Sequence, residues 1–118
     1  TIAGNHVEGT VYGGIFLIGS GHRIVGNRLL NLNKARCEPG KAGCVYWPQE
    51  PELLSAGIYL GRRAERPAVT RDNLIENNEI AGYGMRSHCI MAAPGIALRD
   101  NRIERNRCGE AESRKAGP

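Results

Sequence analysis

Asn73-Leu74-Ile75-Glu76-Asn77-Asn78-Glu79-Ile80 is the stretch that decides how this chain folds. It ends in Asn78-Glu79-Ile80: an asparagine, any residue, then an aliphatic one. The same triplet recurs as Asn5-His6-Val7, Asn27-Arg28-Leu29 and Asn101-Arg102-Ile103. Successive copies lie 22, 51 and 23 residues apart. A period of 22 to 23, with one interval lengthened by 28 or 29 residues, accounts for all three spacings. Three residues before each Asn stand Ile2, Ile24, Ile75 and Leu98, and one before stand Gly4, Gly26, Asn77 and Asp100. A fixed period of this length marks a repeat architecture.

A second pattern precedes the triplets, in Gly14-Ile15-Phe16-Leu17, Gly57-Ile58-Tyr59-Leu60 and Cys89-Ile90-Met91-Ala92. Alternation with period 2 reads as strand, and a helical period fits none of these segments. Each repeat therefore holds about three short strands joined by Gly- and Asn-rich corners. One such unit cannot bury its apolar face alone, whereas parallel stacking lays Ile on Ile and Val on Leu. Asn at a corner tolerates the left-handed conformation, and stacked amides hydrogen-bond along the axis. The expected shape is an all-β coil with three faces and about 22 residues per turn.

Composition agrees. The 118 residues, 12.8 kDa, suit one domain. Sixteen Gly and nine Asn argue against a helical bundle. A hydrophobic share of 41% with net charge +4 argues against disorder. No apolar run is long enough to span a membrane. No signal peptide is recognisable, and the start at Thr1 is read as a removed targeting segment or as a piece of something longer. Arg supplies 13 of the 16 basic residues, a bias toward planar, bidentate partners such as carboxylates. Four cysteines, at 37, 44, 89 and 108, allow three pairings, with no CxxC and no zinc spacing among them. Cys37 with Cys44 and Cys89 with Cys108 is the preferred pairing. It goes with an oxidising compartment, secreted or periplasmic.

The phrase Gly57-Ile58-Tyr59-Leu60 followed by Asn73–Ile80 resembles the right-handed parallel β-helix repeat of the pectate-lyase-like superfamily. Gly13-Gly14-Ile15-Phe16-Leu17-Ile18-Gly19, with Gly21-His22-Arg23-Ile24-Val25-Gly26-Asn27, is similar in cadence to β-helical lyases acting on alginate or chondroitin. The resemblance implies a right-handed parallel β-helix of about four coils over residues 1–108. Residues 109–118 are then a polar tail or cap. It also implies a carbohydrate-active module for an acidic, uronate-containing polysaccharide, bound or cleaved by β-elimination. Lyases of this fold use an Arg or Lys base and often a calcium ion to neutralise the uronate. Beyond that conditional calcium, no cofactor is expected.

The lengthened interval carries two insertions, at about 34–55 and 61–72, both in the second coil. The first holds Cys37, Cys44 and Trp47; the second holds Arg62, Arg63, Arg66 and Arg71. Insertions of this kind map to loops on one face, often the binding face. Alternation sends Ile15, Leu17, Ile58, Leu60, Ile90 and Ala92 inward. It sends Phe16, Tyr59 and Met91 outward, as a ladder onto which flat sugar rings would stack. Phe16, Tyr59, Trp47, Arg62 and Arg63 are the expected substrate-binding residues, with the arginines facing uronate carboxylates. The competing reading is that the 34–55 loop folds over this ladder and buries it.

Candidate bases are Arg62, Arg63, Lys34 and His22, none of which the sequence shows to be perturbed as a base must be. Asp72, Glu76, Glu79 and Asp100 make no convincing acidic cluster for calcium. Asp100 lies roughly one coil from Glu76 or Glu79, which permits a hydrolase pair without arguing for one. His6, His22 and His88 fall in different columns, so no metal site is expected. Aromatics are too sparse for a nucleic-acid surface. Thr1-Ile2 aligns with Arg23-Ile24, so the coil ends expose Ile2, Val7, Leu98 and Ile103. Repeat arrays normally need polar caps. A structural protein stacking end to end is therefore the second functional reading.

Overall fold

The computed structural model describes residues 1–38, 41–44, 52–61, 70–86 and 88–110. Its strands are β1 (Ile2–Ala3), β2 (His6–Glu8), β3 (Ile15–Leu17), β4 (Arg23–Val25), β5 (Arg28–Leu32), β6 (Ile58–Leu60), β7 (Leu74–Glu76), β8 (Glu79–Gly82), β9 (Ile90–Ala92), β10 (Arg102–Glu104) and β11 (Arg107–Glu110). A 3-10 turn at Leu98–Asp100 is the single helical element among the described residues. The chain is all-β, and every strand pairing is parallel.

Three sheets result. Sheet A is ordered β1-β4-β7-β10, sheet B β2-β5-β8-β11 and sheet C β3-β6-β9. The chain visits A, then B, then C, and repeats. Parallel neighbours need a crossover, and here the other two sheets supply it. One visit to the three sheets is termed a rung below.

Alternation places the core between the sheets. Ile24, Leu29, Ile58, Leu60, Ile75 and Ile80 are all buried, and Ile15, Ile90, Ala92, Val7 and Ile103 pack against them. Sheet C carries Ile15 on Ile58 on Ile90 and Leu17 on Leu60 on Ala92. These inward positions are the ones the alternation predicts.

The register of the last rung differs from the sequence expectation. Ile103, not Leu98, continues the column Ile2–Ile24–Ile75. The repeating asparagine is Asn106, not Asn101, so the last spacing is 28 residues instead of 23. Asn101 instead pairs with Asn73, whose Nδ2 donates to Asn101 Oδ1 at 2.8 Å. Two asparagines per rung, as in Asn73–Asn78 and Asn101–Asn106, make the shorter alignment look equally good. Leu98 falls in the 3-10 turn, and Asp100 gives up its corner position to Arg105.

The left-handed residue at that corner is not the ladder asparagine but the one before it. Gly4, Gly26, Asn77 and Arg105 have φ of 68°, 68°, 59° and 55°. A Cβ on Gly26 would meet nothing within 4 Å, so glycine there answers a dihedral requirement and not a crowded site. The turn aims the next amide into the stack. Asn5, Asn27 and Asn78 each donate through N–H and Nδ2 to the Oδ1 of the next asparagine, at 2.8–3.1 Å. Asn27 and Asn78 are 1% and 2% exposed, so this ladder satisfies polar groups that burial would otherwise penalise.

Cys37 bonds Cys44 and Cys89 bonds Cys108, with Cα–Cα separations of 5.3 and 5.6 Å. Cys108 occupies the column of Leu29 and Ile80, so its bridge crosses the floor of the last rung. Strand β11 continues to Glu110, so the β-structure passes the boundary expected at residue 108. Among the described residues, no helix is long and apolar enough to cross a membrane.

Candidate functional site

Phe16 and Tyr59 stand in register on β3 and β6. Their rings stack at 5.9 Å with planes 16° apart. The expected outward column therefore exists, but it is not an open ladder. Tyr59 is 1% exposed and packs with Ala56, Ala93, Leu53, Met91 and Ile96. The segments around 52–56 and 93–96 cover it, so Tyr59 is a core residue and not a sugar platform. Phe16 alone stays open, at 48%. Trp47, Arg62 and Arg63 lie outside the described residues.

What remains on that side is an apolar cleft of about 500 Å³. It is lined by Tyr12, Gly13, Gly14, Ile15, Phe16, Leu53, Leu54 and Ala56. Its floor is tight, because a Cβ on Gly13 would collide with the Ala56 carbonyl. Among the described residues, no charged side chain lines it.

Lys34 and His22, the two candidate bases among the described residues, are not gathered. Lys34 sits at the corner after β5, its N–H donating to Thr10 O at 3.0 Å. His22 sits at the corner before β4, where its ring bonds Ile18 O at 2.8 Å. These are different corners of the rung. The acidic pairs also separate. Glu79 is bound to Arg28 at 3.2 Å, and Glu76 pairs with Arg105. Asp100 instead neighbours Asp72, whose N–H donates to Asp100 O at 2.9 Å. No three His, Cys, Asp or Glu side chains converge among the described residues, so the donors that calcium would need are not assembled there.

A different constellation does form, on the outer face of sheet A. Arg23, Leu74 and Arg102 share one register column on β4, β7 and β10. Their inward neighbours Ile24, Ile75 and Ile103 turn these three side chains outward. With Arg99, Asp72, Asp100, Asn73 and Asn101 they line a polar trough of about 530 Å³. Arg102 donates to Glu104 at 2.5 Å. That hydrogen bond raises the Arg102 pKa and holds the Glu104 carboxyl below the usual range. Arg71 contacts Asp72 at 3.5 Å. Arg23 and Arg99 have no ion-pair partner among the described residues.

The trough floor is fixed by a second asparagine column. Asn73 Oδ1 accepts the His22 N–H at 2.8 Å, and Asn73 N–H and Nδ2 donate to Asn101 Oδ1. These amides are consumed in positioning the backbone. The groups left for a ligand are the guanidiniums of Arg23 and Arg99 and the carboxylate of Asp100, with Asp72 shared with Arg71. Arg23 and Arg99 are absent from the sequence-derived site. The signal for Arg23 was the match of Asn73–Asn78 to Asn101–Asn106, which sets Arg102 over Leu74 and Arg23; Arg99, in the 3-10 turn, had none.

Comparison of the chain with protein families, with characterised proteins and with solved structures finds no match.

Proposed function

We propose that this chain is a stretch of right-handed parallel β-helix that binds an acidic, uronate-containing polysaccharide along the outer face of sheet A. The cyclic A-B-C path through parallel sheets supports the helix. The strong preference of parallel crossovers for one hand supports its being right-handed. The observation that carries the binding reading is the trough holding Arg23 and Arg99. Free guanidiniums offer bidentate donors to carboxylates, and Asp72 and Asp100 accept from sugar hydroxyls. The two disulfides support a secreted or periplasmic setting. The groups gathered in the trough are ones that bind carboxylates and hydroxyls, so the reading is one of binding.

The test is titration with oligogalacturonate and oligoalginate against a neutral glucan, followed by calorimetry. Binding to the uronates that falls at least tenfold in Arg23→Ala/Arg99→Ala and weakens with salt supports the reading. Equal affinity for the neutral glucan, or an unchanged double variant, overturns it.

A further inference from the structure

The outer face of sheet A carries its charges in lanes that run across the strands. Register stacks Arg23, Leu74 and Arg102 in one column and Val25, Glu76 and Glu104 in the next. Both columns face outward, because Ile24, Ile75 and Ile103 between them face the core. On the other side of the arginine column, Asp72 and Asp100 follow one another, the Asp72 N–H donating to Asp100 O at 2.9 Å. On the rungs of β7 and β10 the arginine lane is therefore bordered by acids on both sides.

This layout decides the direction in which a polyanion can lie. Along β7 the outward residue after Leu74 is Glu76, and along β10 the one after Arg102 is Glu104. Along β4, Arg23 is followed by Val25. A chain of carboxylates laid along any of these three strands leaves the lane for an acid or a valine. Across the strands it meets a second cation. Arg23 and Arg102 lie two rungs apart in one column, about 9.6 Å at the usual strand spacing. Arg99 lines the same trough at the Arg102 end. Between the two cationic ends stands Leu74, half-buried and uncharged.

The order cation, apolar, cation has a chemical complement. In an extended 1→4-linked uronate chain each ring advances by close to one strand spacing, and successive rings turn over. Carboxylates then reach a flat surface from alternate sugars, with an apolar ring face between them. Arg102 already holds a carboxylate, that of Glu104, at 2.5 Å. The pair is solvent-exposed, and such pairs contribute little in water, so a ligand carboxylate can share or take the guanidinium.

We propose, resting on uronate binding in the trough, that the polysaccharide crosses the strands of sheet A. The carboxylates of alternate sugars lie on Arg23 and on the Arg99–Arg102 end, and the ring between them covers Leu74. The smallest ligand that fills the lane is a trisaccharide.

The experiment is calorimetric titration of the oxidised 118-residue chain with di-, tri- and tetragalacturonate. Affinity is expected to rise at least about tenfold from the disaccharide to the trisaccharide, as a second charged contact is made. The step from three sugars to four should be below about threefold. Arg23→Ala and Arg102→Ala, both at exposed positions, accompany it, with circular dichroism to show that they fold as the parent does. Each should bring the ratio of trisaccharide to disaccharide affinity below about threefold. A gradual rise with length, or a step that survives both variants, overturns this placement while uronate binding stands. Failure of all three oligouronates to bind overturns the binding reading and the placement with it.

Discussion

Asn27 Nδ2 donates to Asn78 Oδ1 at 2.9 Å, between two side chains that are both almost fully buried. Asn78 also accepts the Asn27 N–H and donates to Ile24 O and Asn106 Oδ1. One side chain therefore ties three successive rungs together.

Asn78→Ala removes partners from buried donors that water cannot reach. The expected loss is about 2 to 4 kcal/mol, read from denaturant midpoints. Asn5→Ala, at the exposed end of the same column, should cost less than about 1 kcal/mol. Equal losses at the two positions would show that the ladder's energy does not depend on burial.

Phe16 and Tyr59 give a paired test of the aromatic column. Tyr59 is buried, so Tyr59→Ala should destabilise by about 3 to 5 kcal/mol through the cavity it leaves. Phe16→Ala should cost about 1 kcal/mol or less, because it loses one stacked face. Thermal melts of both variants check the order. A Tyr59→Ala protein as stable as the parent would restore the open-ladder reading.

Gly26 separates strain from crowding. Its φ is 68° and the space around its Cβ position is empty. Gly26→Ala should therefore cost about 1 to 2 kcal/mol from conformation alone. Gly26→Asn should cost less, since Asn77 holds the same corner in another rung with φ 59°.

The disulfides close loops of different length, with sequence separations of 7 and 19. Loop-closure entropy gives about 2.5 kcal/mol for Cys37–Cys44 and about 3 kcal/mol for Cys89–Cys108. The double Cys89→Ala/Cys108→Ala variant should lose more than its counterpart, because it also opens the floor of the last rung. Chemical denaturation of the two double variants measures the difference.

Two surface pairs set local titrations. Glu104 is hydrogen-bonded by Arg102, which lowers its pKa. The pair's stabilisation is present above the unfolded carboxyl pKa and fades as pH falls through the lower folded value. Arg102→Ala should bring the Glu104 pKa back up, as followed by NMR. Tyr83 donates to Glu38 at 3.0 Å, which raises the phenol pKa. Its contribution is present below the unfolded phenol pKa and is lost as pH rises through the higher folded value. Glu38→Gln should lower the Tyr83 pKa; no change would mean that the hydrogen bond is absent in solution.

The strands and their parallel stacking were legible in the sequence, because period-2 alternation and the spaced asparagines dictate them locally, rung by rung; of the three pairings the four cysteines allow, the preferred one is the one formed. Three features required the tertiary structure. The last register depended on choosing between Asn101 and Asn106, two asparagines with nearly the same neighbours, and only their contacts with Asn73 and Asn78 separate them. The fate of Tyr59 depended on chain segments distant along the sequence folding over it, which alternation cannot report. The trough was invisible because Arg23, Asp72, Arg99 and Arg102 are scattered along the chain and meet only when their rungs stack. A repeat sequence fixes what each rung looks like. Which side chains become neighbours across rungs is set by register and by the loops between, and these are properties of the assembled fold.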